Sequence, residues 1–150
     1  MGKIKSFRGR LASGGQETIH LHTNDGSIGY RMKKFEVIGS QPGTETCELT
    51  GKIYSMKQAS IDSEIDFSDN TLLAIAYFEQ NSGTNSQEPM VVIFDNVTFN
   101  QDIYVNAFDD TTVAPNGKPM NYHIELEQVK LDLNENTVAT LKDIRNERLA

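Results

Sequence analysis

Apolar and polar residues alternate in short runs along most of the chain, the period-two signature of strands that bury one face. Glu17 to Thr23 sets Ile19, Leu21 and Thr23 on one face and His20 and His22 on the other. Asn24-Asp25-Gly26-Ser27 follows and reads as a hairpin connection, because Asp-Gly readily supplies the positive φ of a primed turn. In Ile28 to Ile38 the residues Ile28, Tyr30 and Met32 share a face, and Phe35 and Val37 fall out of phase with them. The Lys33-Lys34 pair between the two sets therefore marks a β-bulge. Ser40 to Glu45, with Pro42-Gly43, is a turn, and Cys47, Leu49, Gly51 and Ile53 form the next alternating set.

Ala59 to Asn70 is rich in Asp, Glu and Ser and reads as a surface loop. Thr71 to Glu79 and Met90 to Asp95 are nearly continuous apolar runs, which suit central strands, with a polar loop over Gln80 to Glu88 between them. Asp102 to Phe108 alternates again, Asp109 to Pro119 reads as a long turn, and Tyr122, Ile124 and Leu126 alternate with His123, Glu125 and Glu127. With the weaker Ile4 to Leu11 segment this gives about eight strands and no βαβ rhythm. The expected fold is an all-β antiparallel β-sandwich or jelly roll over residues 1–131.

Only the tail changes period. Val138, Leu141 and Ile144 recur at three-residue steps, and Asp132 with Glu135 resembles a capping box. A short C-terminal helix is expected over residues 132–150, packed on the sandwich or extending from it.

Composition narrows the class. The chain has 150 residues, a length that suits one domain, and 37% hydrophobic with 23% charged residues is a globular balance. The longest apolar run, Leu72 to Phe78, is far short of the roughly 20 residues that span a bilayer, so no membrane partner is expected. Polar Ser13 to Thr18 stands where a signal peptide would carry its apolar stretch. Cys47 is the single cysteine, which excludes an internal disulfide and a CxxC pair and fits assembly in a reducing cytoplasm.

Charge is unevenly distributed. Residues 1 to 34 hold seven basic residues and two acids, while the remainder holds seven basic and 19 acidic residues within a total of −7. A body so acidic is repelled by phosphate backbones, so nucleic acid is not expected as the primary partner. The basic start, Lys3, Lys5, Arg8 and Arg10, has two readings: an edge strand whose charges discourage edge-to-edge pairing, or an arm that docks on an acidic neighbour.

Candidate chemistry is sparse. Cys47 alternates with Leu49 and Ile53 and reads as an inert core thiol. His20 and His22 share a strand face without an identifiable third ligand, and His123 among Glu125 and Glu127 reads as a solvated or cross-strand partner. Asp62, Glu64, Asp66 and Asp69 invite a calcium reading, but from Asp62 the EF-hand Gly and Glu positions hold Phe67 and Leu73. Ser13-Gly14-Gly15-Gln16 lacks the spacing and lysine of a phosphate loop, and Asn96-Val97-Thr98 matches a glycosylation acceptor without secretory context. No nucleophile, base and orienting group assemble, so the reading is non-enzymatic, with no cofactor and no metal. Tyr30, Tyr54, Tyr104 and Tyr122 are candidate platforms for stacking a glycan ring, or else core residues.

Four stretches then carry a resemblance: Val92-Ile93-Phe94-Asp95-Asn96, Phe99 to Val105, Asn121 to Val129, and Val138 to Arg145. Together with Phe7-Arg8-Gly9-Arg10-Leu11, Thr23 to Gly26 and Gly29-Tyr30-Arg31, they resemble small virion structural proteins of marine tailed bacteriophages. The resemblance implies a virion protein assembled in the host cytoplasm. Within that class the expectation is a head decoration or cement protein that binds the major capsid protein shell, with Lys3, Lys5, Arg8 and Arg10 at the protein interface and self-association into a homo-oligomer. The alternative is attachment to tail, neck or vertex with receptor or glycan binding, and a free carbohydrate- or cation-binding module is a third reading.

Overall fold

The computed structural model describes residues 2–21, 26–42, 46–80, 90–111 and 117–131. Among these residues eight strands are formed: β1 (Ile4–Leu11), β2 (Gln16–Ile19), β3 (Ile28–Gly39), β4 (Cys47–Tyr54), β5 (Leu72–Gln80), β6 (Met90–Ile93), β7 (Ile103–Asp109) and β8 (Met120–Lys130). They build two antiparallel sheets, of order β1-β8-β3 and β2-β7-β4-β5-β6, packed as a β-sandwich. In the larger sheet β4, β5 and β6 run as a meander and β7 returns beside β4, a Greek-key arrangement.

Alternation explains which side chains enter the core. Met32, Phe35 and Val37 of β3 and Ile124 and Leu126 of β8 face Leu49, Ile53, Phe78 and Val105 of the opposite sheet, all buried. The expected bulge is present: the β3–β8 register shifts between Met32 and Lys34, and the bulge absorbs the extra residue so that Phe35 and Val37 share the face of Tyr30 and Met32. Cys47 is buried within this core. Gly51 faces inward too, and a Cβ there would approach Met120 and Phe35 to 3.0 Å, so the absent side chain admits two large ones.

The connection between β1 and β2 changes sheets. It is a tight turn in which Gly15 N–H donates to the Ala12 carbonyl (2.9 Å) and Gly14 holds φ 84°, a value glycine adopts without penalty. Gly14 and Gly15 also bond to Ala107 of β7, which pins the turn to the second sheet.

Three expectations are corrected. Among the described residues β2 pairs with β7 and β3 with β8, so the two strands belong to different sheets and do not form the expected hairpin. The apolar run from Met90 is an edge strand rather than a central one, with Met90 64% exposed. Of the two readings of the basic start, the edge strand is the one formed and the arm is corrected: Ile4–Leu11 is paired along its whole length with β8, because Phe7 and Leu11 have a core face to reach. The expected C-terminal helix, His22 and the Gln80 to Glu88 loop beyond Gln80 lie outside the described residues. Among the described residues no helix is long and apolar enough to cross a membrane.

Candidate functional site

Three strands present the outer face of the smaller sheet, and their register sets its side chains in rows. Arg8 stands opposite His123, which stands opposite Glu36; Arg10, Asn121 and Ile38 make the next row. Between the rows lies an open groove of about 980 Å³ lined by Arg8, Glu36, Ile38, Asn121 and His123, with Val91 of β6 at its side. Ile38 and Val91 are 45% and 40% exposed, so the groove has an apolar flank beside its charged one.

Most charges on this face are already engaged. Lys33 pairs with Glu127 (3.6 Å), Lys34 with Glu36 (4.0 Å), and Arg31 Nε donates to the Thr98 hydroxyl (3.2 Å). His123 Nδ1 lies 3.3 Å from Glu36 and its Nε2 lies 3.9 Å from Glu125. The cross-strand reading of His123 is thus what the register produces. Lys3, Arg8 and Arg10 are exposed and have no acidic partner among the described residues. Lys5 is different: it points to the inner side, with Nζ 3.4 Å from the Tyr30 hydroxyl and 5.6 Å from the ring centroid. Three of the four candidate interface cations therefore share one open edge, and the fourth serves the core.

The candidate glycan platforms do not form one. Tyr30 and Tyr122 are buried between the sheets, because the alternation that puts them in phase with Met32 and Ile124 also faces them inward. Tyr30 stacks on Phe99 at 6.4 Å, and the Tyr122 hydroxyl donates to the Glu17 carboxylate. Burial first, then the Glu17 hydrogen bond and charge, push the Tyr122 phenol above its ordinary range. Tyr54 is buried under the 55–71 connection, and burial, followed by the charges of Asp69, Asp62, Asp66 and Glu64, raises it to about 12. Tyr104 alone is half exposed.

The acidic loop has its own cation. Lys52, only 3% exposed, extends from the outer face of β4 and places Nζ 2.6 Å from the Glu64 carbonyl and 3.3 Å from Asp62. Asp66 and Asp69 accept hydrogen bonds from Ser68 and Thr71, two residues on, as in Asx turns. The loop so fixed covers a second apolar cluster of Tyr54, Leu72 and Ile75, against which Val92 and Phe94 pack. His20 lies 3.4 Å from Asp102, and among the described residues no three His, Cys, Asp or Glu side chains gather as a metal site requires.

Sequence reasoning missed the groove, Lys52 and a carboxylate hub at Asp109. Glu36, Ile38 and His123 occupy out-facing positions of alternating strands, which is legible, but their adjacency depends on register. Lys52 carried no signal beyond its place in phase with Glu48 and Thr50 on the outer face of β4. No family model, no curated protein and no solved structure matches the chain.

Proposed function

We propose that this chain is a non-enzymatic structural protein of a tailed-bacteriophage particle, a head decoration protein that docks on the major capsid protein shell. One observation carries the reading: Lys3, Arg8 and Arg10 stand without acidic partners among the described residues on one edge, beside a groove with exposed Ile38 and Val91, on a chain that is otherwise strongly acidic. Complementary charge orients such a face during encounter, and buried apolar area holds it afterwards. The likeness of the sequence to virion structural proteins supplies the particle. The acidic body then remains toward solvent.

The test is the copy number of this polypeptide per purified particle, by quantitative mass spectrometry against the major capsid protein. Hundreds of copies, in a simple ratio to the capsid protein, are expected. A few copies would move the protein to tail, neck or vertex, and complete absence would reject the virion reading.

A further inference from the structure

We infer that the open edge of β1 is a strand acceptor: it binds an extended acidic segment of a partner protein by adding it to the β1-β8-β3 sheet. The inference rests on the docking reading above and gives it a mode. Among the described residues β1 is the edge of its sheet and pairs with β8 alone. Gln128 N–H donates to the Lys3 carbonyl at 2.7 Å, which fixes the phase of the ladder. In an antiparallel pair the bonded residues alternate, so Lys5, Phe7, Gly9 and Leu11 exchange bonds with β8. Ile4, Ser6, Arg8 and Arg10 then turn their N–H and C=O groups to the open side. The same four residues point their side chains to the exposed face.

A bare edge invites any strand, and its side chains choose among them. A second copy of β1 paired antiparallel would set Arg8 opposite Arg10 in one register and diagonal to its own counterpart in the fully overlapped one, and like charges so close across strands are unfavourable. An acidic strand meets the opposite situation, since neither arginine has a carboxylate among the described residues. Main-chain bonds supply affinity in this mode, and alternate side chains supply specificity. Read antiparallel, the preferred segment places acids opposite Arg10 and Arg8, a small polar residue opposite Ser6, and an apolar residue opposite Ile4, which is 51% exposed. Its pattern is acid-x-acid-x-(small polar)-x-apolar.

The probe is a blocked, fluorescein-labelled peptide Glu-Thr-Glu-Thr-Thr-Thr-Leu, added to the purified full chain at low salt. Controls carry lysine in place of both glutamates, or an N-methyl group on the fifth residue, which removes one ladder donor. Expected is saturable anisotropy, with binding by the lysine peptide weaker by roughly tenfold or more, since two charge pairs change sign. The N-methylated peptide should also bind more weakly. Hydrogen exchange should slow at the amides of Ser6, Arg8 and Arg10 while Phe7 and Gly9, already bonded, do not change. Equal binding of all three peptides, no binding, or protection confined to Glu36, Ile38 and His123 would overturn the strand-acceptor inference. Because no particle enters this assay, its failure is separable from a failed copy-number test.

Discussion

At the residue scale two charged side chains, Asp109 and Lys52, stand among the buried polar residues of the described structure. Asp109 is 0% exposed and takes Glu48 and Thr111 amides and the Thr111 hydroxyl on one carboxylate oxygen, and the Lys118 amide on the other. Burial pulls its pKa up, but the Thr111 hydroxyl and the Lys118, Thr111 and Glu48 amides outweigh that pull and hold it below the usual aspartate value. A carboxyl lowered by folding contributes stability that is complete above its unfolded pKa, about 3.9, and is lost as pH falls through the folded one. Asp109→Asn should therefore cost about 1–3 kcal/mol at neutral pH, because an amide nitrogen faces a donor. The gap between wild type and variant should narrow as pH falls below the ordinary aspartate range and on through the lower folded-state value. Urea unfolding along a pH series measures both, and a gap independent of pH would refute the hub. Lys52 works differently, as a tethered cation inside the loop where the sequence suggested calcium.

At the element scale the bulge in β3 is the most informative feature. It adds one residue at Lys33 without altering which of Tyr30, Met32, Phe35 and Val37 face the core. Deleting Lys33 should give a regular ladder and a folded protein, at a cost of roughly 1 kcal/mol, since the lost pairing with Glu127 is exposed. Deleting Glu36 instead turns Val37 outward and should cost more than about 3 kcal/mol, because a one-residue slip reverses every following side chain. Thermal unfolding of the two variants decides the matter; equal destabilisation would mean that the bulge carries no phase information. This much was readable from the sequence, as an interruption of alternation at two lysines. The edge position of β6 was not, since an apolar run such as Met90–Ile93 looks the same whether a strand or a loop covers its flank.

At the scale of the whole molecule the first and last described strands are neighbours: β1 pairs with β8. The smaller sheet therefore closes only when both exist, and such long-range pairings fold slowly. Removing residues 1–11 should strip Phe7 and Leu11 from the core, bare the edge of β8 and yield an aggregating protein. Arg8→Glu with Arg10→Glu should leave the melting temperature within a few degrees, since exposed substitutions cost within about 0.5 kcal/mol, and should lower occupancy on particles. Circular dichroism and particle pull-down separate the two. A truncated chain that folds normally would contradict the structural role of β1.

The sequence by itself determined the strands, the bulge, the buried cysteine and the all-β class, because period-two burial is a local property written into consecutive residues. It also showed the basic start against an acidic remainder. Only tertiary structure decided that Ile4–Leu11 is an edge rather than an arm, that Tyr30, Tyr54 and Tyr122 are interior, and that Arg8, His123 and Glu36 form one row. Those facts depend on sheet membership and register, which are set by how two apolar faces fit together across residues distant in the chain, and no local pattern encodes them.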